Sequence, residues 1–371
     1  MTEITTNSSV LKKRLLSLDV FRGITMASMI LVNDPGGDHS YAPLEHSKWN
    51  GCTPTDLIFP FFLFMVGISI VYAMESRKEV TTDHNKLILH AFKRTVILLL
   101  ITYVIRFFFQ PNLAHMRIPG VLTRIAVVYL ICSILYIKTS QKTRDWLFVI
   151  ALVGYYIIMT FIPVPGVGYA NLEPTTNLGA WLDRTVFTTN HLWADSRTWD
   201  PEGLLGTIPA VATGLFGIRL GTWIKRKDQE DSVKVTWMFV YGVIAVMLAL
   251  IWDLFFPINK ALWTSSFVLY TGGLATIGLA LSYWLIDVRG HKKFTPIFVA
   301  FGANAITAYI LADFIPHYMG KIRIGGKPIY NVLFAPYFSP VNASLASALF
   351  TVFCIWIVMW VLYKRKIIIK V

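Results

Sequence analysis

Residues 235–256 read VTWMFVYGVIAVMLALIWDLFF, 22 residues with one charged side chain, Asp253. A helix of that length rises about 33 Å at 1.5 Å per residue, enough to cross a hydrocarbon core about 30 Å thick. Outward from it, comparable apolar stretches recur at about 16–33, 55–74, 87–109, 119–137, 146–162, 203–224, 262–286, 294–315 and 342–363. Composition agrees: of 371 residues 55% are hydrophobic and 15% charged, where soluble domains carry about 25% charged residues. The expectation is an all-α integral membrane protein, a bundle of about ten transmembrane helices forming one domain over residues 1–371.

An even number of spans puts both termini on one side. Sorting Lys and Arg by alternate joints places 24 of the 34 on the side of the termini, which the positive-inside rule makes cytoplasmic. The net charge of +13 gathers at span ends, as in Lys12-Lys13-Arg14, Lys225-Arg226-Lys227 and Lys364-Arg365-Lys366, with Lys370 beyond. That placement suits topology and contact with anionic membrane lipids rather than nucleic acid. The first apolar stretch lacks a small-residue cleavage site, so it reads as an uncleaved helix. Three cysteines, Cys52, Cys132 and Cys354, define neither a disulfide framework nor a metal-ligand spacing.

The outward joints, about 34–54, 163–202 and 316–341, are the long ones, and loops of that length commonly carry function. The second holds Trp181, Trp193 and Trp199 among amides and carboxylates, including Asp200 and Glu202, a mixture that suits a carbohydrate-like ligand or an interfacial aromatic belt. Charged groups inside spans cost at least about 2.5–3.5 kcal/mol on insertion scales, so they usually face a cavity or a partner. Asp19 and Arg22 are spaced to pair on one helix face. Arg117 and Arg124, seven apart, read as one face of the fourth span. Such cations act as structural pairs or receive phosphate.

The segment Asn33 to Asp56 concentrates the candidate chemistry. Thr53, Pro54 and Asp56 form a capping box with Pro at the first helical position, a structural task that by itself accounts for Asp56. His46, beside Trp49 and just before a helix start, is a candidate proton carrier at neutral pH, and His39 is its local competitor. Neither has a second ligand at a zinc spacing.

Leu18-Asp19-Val20-Phe21-Arg22-Gly23, Val32-Asn33, His46-Ser47-Lys48-Trp49-Asn50-Gly51 and Asp56-Leu57-Ile58-Phe59-Pro60-Phe61-Phe62 together resemble the transmembrane part of the heparan-α-glucosaminide N-acetyltransferase family. The likeness continues at Arg117-Ile118-Pro119-Gly120-Val121-Leu122-Thr123-Arg124, Asp200-Pro201-Glu202-Gly203, Phe256-Pro257-Ile258-Asn259-Lys260-Ala261-Leu262-Trp263 and Gly302-Ala303-Asn304-Ala305. What the resemblance implies is an enzyme that moves acetyl from cytosolic acetyl-CoA, its co-substrate, to the amine of an amino sugar or glycan across the membrane, without a metal. It maps the catalytic histidine onto His46, with Asn33 and Asp56 beside it.

Arg22, Arg117 and Arg124 are then candidates for the CoA phosphates. Trp49, Asn50, Trp199, Asp200, Glu202, Asn259, Lys260 and Asn304 are candidates for the acceptor, although Asn304 reads equally well as a bridge between helices. Asp56 or Glu45 would orient His46. The resemblance leaves room for a homodimer. The chain begins directly at the membrane part, without the soluble lumenal extension of the animal enzymes, so a bacterial inner membrane is the expected location. The alternative is an amino-sugar transporter of the N-acetylglucosamine type, against which stands the lack of a paired internal repeat.

Overall fold

The computed structural model describes residues 15–80 and 83–369, apart from the side chains of 76, 79 and 80. The basic residues Lys12, Lys13, Arg14 and Lys370, expected to help set topology, lie outside these. The described chain is helical almost throughout. Helices α1 (Leu16–Asn33), α2 (Ile58–Val80), α3 (His84–Phe109), α4 (Val121–Lys138) and α5 (Gln141–Phe161) come first, α2 being led in by a 3-10 turn, Pro54–Leu57. Then follow the short α6 (Leu178–Phe187), α7 (Thr207–Lys225), α8 (Asp231–Asp253) and α9 (Ser265–Tyr283), which runs on into a π-helical turn, Trp284–Val288. The chain ends with α10 (Thr295–Ala303), α11 (Ala305–Lys321), a hairpin of β1 (Arg323–Ile324) and β2 (Lys327–Pro328), α12 (Ile329–Leu333) and α13 (Pro340–Lys364).

Eight of these, α1, α2, α3, α4, α5, α8, α9 and α13, are long and apolar enough to cross a membrane. A ninth arises if α10 and α11, bent by 83° at Asn304, count as one span. This differs from the ten expected at two places. The stretch at 294–315 is not one straight helix, and that at 203–224 is α7, whose Gly214, Gly217, Gly221 and threonines dilute its hydropathy. A lipid-facing helix needs apolar side chains, whereas α7 is sheathed by protein, with Leu215, Ile218 and Ile224 all buried.

The helices form two shells. In α1, α2, α4 and α9 50–56% of the apolar window is buried, against 22–28% in α3, α5, α8 and α13. The outer helices turn side chains such as Leu100, Val104, Ile150, Ile244 and Leu248 outward, as a hydrocarbon environment requires.

Glycines set the closest packing. A Cβ on Gly67 would stand 2.0 Å from the Gly214 carbonyl oxygen, and one on Gly217 1.9 Å from that of Phe64. Gly23 and Gly302 fix α1 against α10 in the same way, with carbonyls at 1.9 and 2.0 Å. Only small residues let helix backbones approach so closely within a bilayer.

Candidate functional site

One cavity of about 1110 Å³ is enclosed by α1, α2, α3, α4 and the bend between α10 and α11, with loop residues at one end. Its wall follows α2 from Thr55 to Arg77, about 33 Å of helix at 1.5 Å per residue, comparable to the hydrocarbon thickness of a bilayer. The two ends differ chemically.

At the end where α1 stops and α2 begins, the capping box exists as expected. Asp56 Oδ2 accepts hydrogen bonds from the backbone N–H of Thr53 and of Ser47, each at 3.0 Å, and lies 3.1 Å from the Thr53 hydroxyl oxygen. The other carboxylate oxygen, Oδ1, is 2.7 Å from His46 Nδ1. One buried carboxylate thus caps a helix and orients an imidazole. Glu45 takes part through its backbone carbonyl, which accepts from the Thr53 hydroxyl at 2.7 Å.

Asp56 is 1% exposed while the His46 side chain is 53% exposed, so the ring is held from behind and open toward the cavity. Lys260 reaches the same point from the joint after α8: its Nζ lies 3.0 Å from His46 Nδ1, 3.4 Å from Nε2 and 3.5 Å from Asp56 Oδ1. Burial draws the Lys260 ammonium below the usual lysine range, against the opposing pull of Asp56 and Glu202. Asn33, the last residue of α1, also opens on the cavity.

The aromatic wall is built from three indoles. Trp49 and Trp199 meet edge to face at 5.1 Å, and Trp193 packs on Trp199 at 5.3 Å; all three line the cavity. The Trp49 Nε1–H donates to the Leu172 carbonyl at 3.0 Å. The long second loop is therefore ordered onto the site, helped by α6, a helix not expected there, whose N-cap Asn177 accepts from the Ala180 N–H.

Several other expected site residues brace this end of the cavity. Asn259 is fully buried, donates to Asn50 Oδ1 at 3.1 Å and accepts from the Leu262 N–H at 2.9 Å, fixing the turn that carries Lys260. Arg117 precedes α4 rather than lying on its face with Arg124, because the helix begins only at Val121. Its guanidinium grips Asp200 at 2.8 and 2.6 Å and Glu202 at 2.5 Å, and it lines the cavity together with Glu202. Arg124, 3% exposed, donates to the carbonyls of Pro201 and Gly203 at 3.0 and 2.8 Å and lies over the Trp263 ring.

Farther along the cavity, Arg22 donates to Ser69 Oγ at 2.8 Å and approaches Asp19 at 3.4 Å, the expected pair. Near the end where α2 stops and α3 begins, Arg77, His90 and Arg94 open on the cavity. Arg94 stacks on Tyr129 at 4.8 Å, and its Nε is buried without a hydrogen-bond partner. Arg77 and Arg94, basic residues at span ends, carry in sequence only the mark of topology charges; the four-residue spacing of His90 and Arg94, which puts both on one helix face, is the further signal. Asn304, at the bend between α10 and α11, also lines the cavity. Its amide donates to the Ile367 carbonyl at 2.9 Å and its oxygen accepts from the Ile369 N–H at 2.8 Å, bringing Ile368 and Ile369 into the wall.

Fold and site together define a polytopic helical membrane protein with an acid–base group at one end of a bilayer-long cavity and a cluster of cations toward the other. Over 365 residues, 84% of the chain, it is 29% identical to heparan-alpha-glucosaminide N-acetyltransferase of Homo sapiens, and over 360 residues, 82% of the chain, equally identical to that of Mus musculus. The likeness read from the motifs is thus shown over most of the chain, which is similar to the heparan-α-glucosaminide N-acetyltransferases. The chain spans about half the length of these curated relatives, 54% of each. A family model described as a domain of unknown function (DUF5009) matches residues 14–171, the part that carries His46 and Asp56.

Proposed function

We propose that this chain is a membrane acetyltransferase that takes acetyl from acetyl-CoA on the cytoplasmic side and passes it to the amine of an amino sugar on the opposite side. The observation that carries this reading is the bilayer-long cavity joining a cationic end to the His46 end. With the basic residues before α1 and around the α2–α3 joint held in the cytosol by the positive-inside rule, the end with Arg77, His90 and Arg94 faces the cytosol. A phosphate-bearing donor held there by charge-assisted hydrogen bonds would point its thioester along the cavity toward His46. The indoles of Trp49, Trp193 and Trp199 offer apolar faces to a sugar ring at the other end, with Glu202 as a polar contact.

Amide formation needs a base for the attacking amine, a donor for the carbonyl oxygen as it gains charge, and enforced proximity. His46, oriented by Asp56, removes the amine proton; Asn33 donates to the oxygen; the C–S bond breaks as the C–N bond forms. In a two-step variant His46 itself carries the acetyl group, which labelled acetyl-CoA without acceptor would trap on the ring. The family resemblance supports both forms equally.

The test is transfer of radiolabelled acetyl from acetyl-CoA to glucosamine by purified protein, with His46→Ala beside it. A loss on the order of 10³-fold is expected for removal of a general base. A membrane-long cavity also suits a carrier, so a well-folded protein that fails to bind acetyl-CoA yet exchanges labelled sugar in proteoliposomes would replace the enzyme reading with transport.

A further inference from the structure

The site already holds an amine. Lys260 Nζ lies against the His46 ring on the cavity wall, 3.4 Å from Nε2, the nitrogen that the Asp56 contact at Nδ1 leaves free to accept a proton, close to the distance an attacking amine must reach to hand its proton to that base. The placement is built in: Lys260 sits in a turn pinned by buried Asn259, by Gly51 N–H donating to the Ile258 carbonyl at 2.7 Å, and by Thr264 Oγ1 donating to the Pro257 carbonyl at 2.8 Å. The side chain is 18% exposed, so an acylating agent meets it from the cavity. Its nearest carboxylate oxygen, at 3.5 Å, is shared with the imidazole and already engaged by it. Lysine amines that lose charge through burial become nucleophiles.

We infer that Lys260 Nζ is an internal acetyl acceptor, a modification site at which the protein acetylates itself when acetyl-CoA is present and the external amine is not. This rests on the acetyltransferase reading for its donor. The ammonium first releases one proton to solvent. The neutral nitrogen then attacks the thioester carbonyl carbon; a C–N bond forms, the C–S bond breaks with its electron pair going to sulfur, and one of the two amine protons passes through His46 to give CoA as the thiol while the other stays on the amide nitrogen. The product is an amide, which unlike a thioester or an acyl-imidazole does not pass its acetyl group on. It also removes the positive charge facing Asp56 and fills space beside His46, so modification turns the site off while acceptor is scarce.

The full-length protein in detergent is incubated with labelled acetyl-CoA alone, then digested and mapped by mass spectrometry, with exposed Lys86 and Lys327, both away from the cavity, as internal controls for spontaneous acetylation. Acetyl should accumulate on Lys260 at least tenfold faster than on either control, slow in His46→Ala, and fall when glucosamine is added. Transfer to glucosamine should decline in step with Lys260 occupancy. A wild-type protein that acetylates glucosamine but leaves Lys260 unmodified overturns the inference and spares the functional reading. Acetyl on Lys260 without glucosamine transfer upholds the inference and rejects glucosamine as acceptor. Neither product, with acetyl-CoA bound, rejects both.

Discussion

The two ends of the cavity are made from opposite kinds of sequence. At the His46 end, the carboxylate, its cap partners and the imidazole all come from residues 46–56, and one long-range residue, Lys260, completes the group. Toward the other end, Arg22, Arg77 and Arg94 come from three helices, α1, α2 and α3. The difference follows from what each end must do. Proton transfer requires hydrogen-bond distances between named atoms, best fixed by a short segment folded on itself. Attraction of a multiply charged group falls off slowly with distance, so its cations can be scattered.

The largest effect that sharpens this contrast is expected for Asp56→Asn. It keeps the shape of the side chain but removes the charge behind His46, and the saturated transfer rate should drop on the order of 10²-fold or more, with acetyl-CoA affinity nearly unchanged. Calorimetric binding beside steady-state rates separates the two, and a matching loss of affinity would break the division between the ends. Next, Arg94→Ala should weaken acetyl-CoA binding about tenfold or somewhat more, the worth of a hydrogen bond to a charged group, while the rate at saturating donor changes little. An unchanged dissociation constant would remove Arg94 from the donor end. The smallest effect is expected for Trp199→Ala, which removes both edge-to-face pairs, with Trp49 and with Trp193, and should raise the acceptor KM about three- to tenfold; a change confined to the donor KM would reverse the assignment of the indoles.

What could be read in advance divides along the same line. The span expected at 16–33 is α1, Leu16–Asn33, because an apolar window in lipid leaves the backbone no alternative to a helix. The capping box at Thr53 and Asp56 was legible because its chemistry lies within four residues. The bend at Asn304 was not: no proline marks it, while Pro316 lies inside α11 without ending it, and the partners of the Asn304 amide are more than sixty residues away. Arg117 was misplaced onto a helix face because its carboxylate partners, Asp200 and Glu202, stand over eighty residues on. The meeting of Lys260 with His46, 214 residues apart, leaves no periodic trace. Arg94 was hidden for another reason, since a basic residue near a span end already has an explanation in topology.

The glycine contacts described above have a mechanical consequence. Gly23 with Gly302 locks α1 to α10, and Gly67 with Gly214 and Gly217 locks α2 to α7, each at backbone contact. Sliding along either seam would drive carbonyl oxygens into neighbouring backbone, so each pair behaves as a stiff leaf. The hydrogen bond from Arg22 to Ser69 spans the gap between the leaves. Widening the cavity by parting one leaf from the other would therefore require breaking that latch.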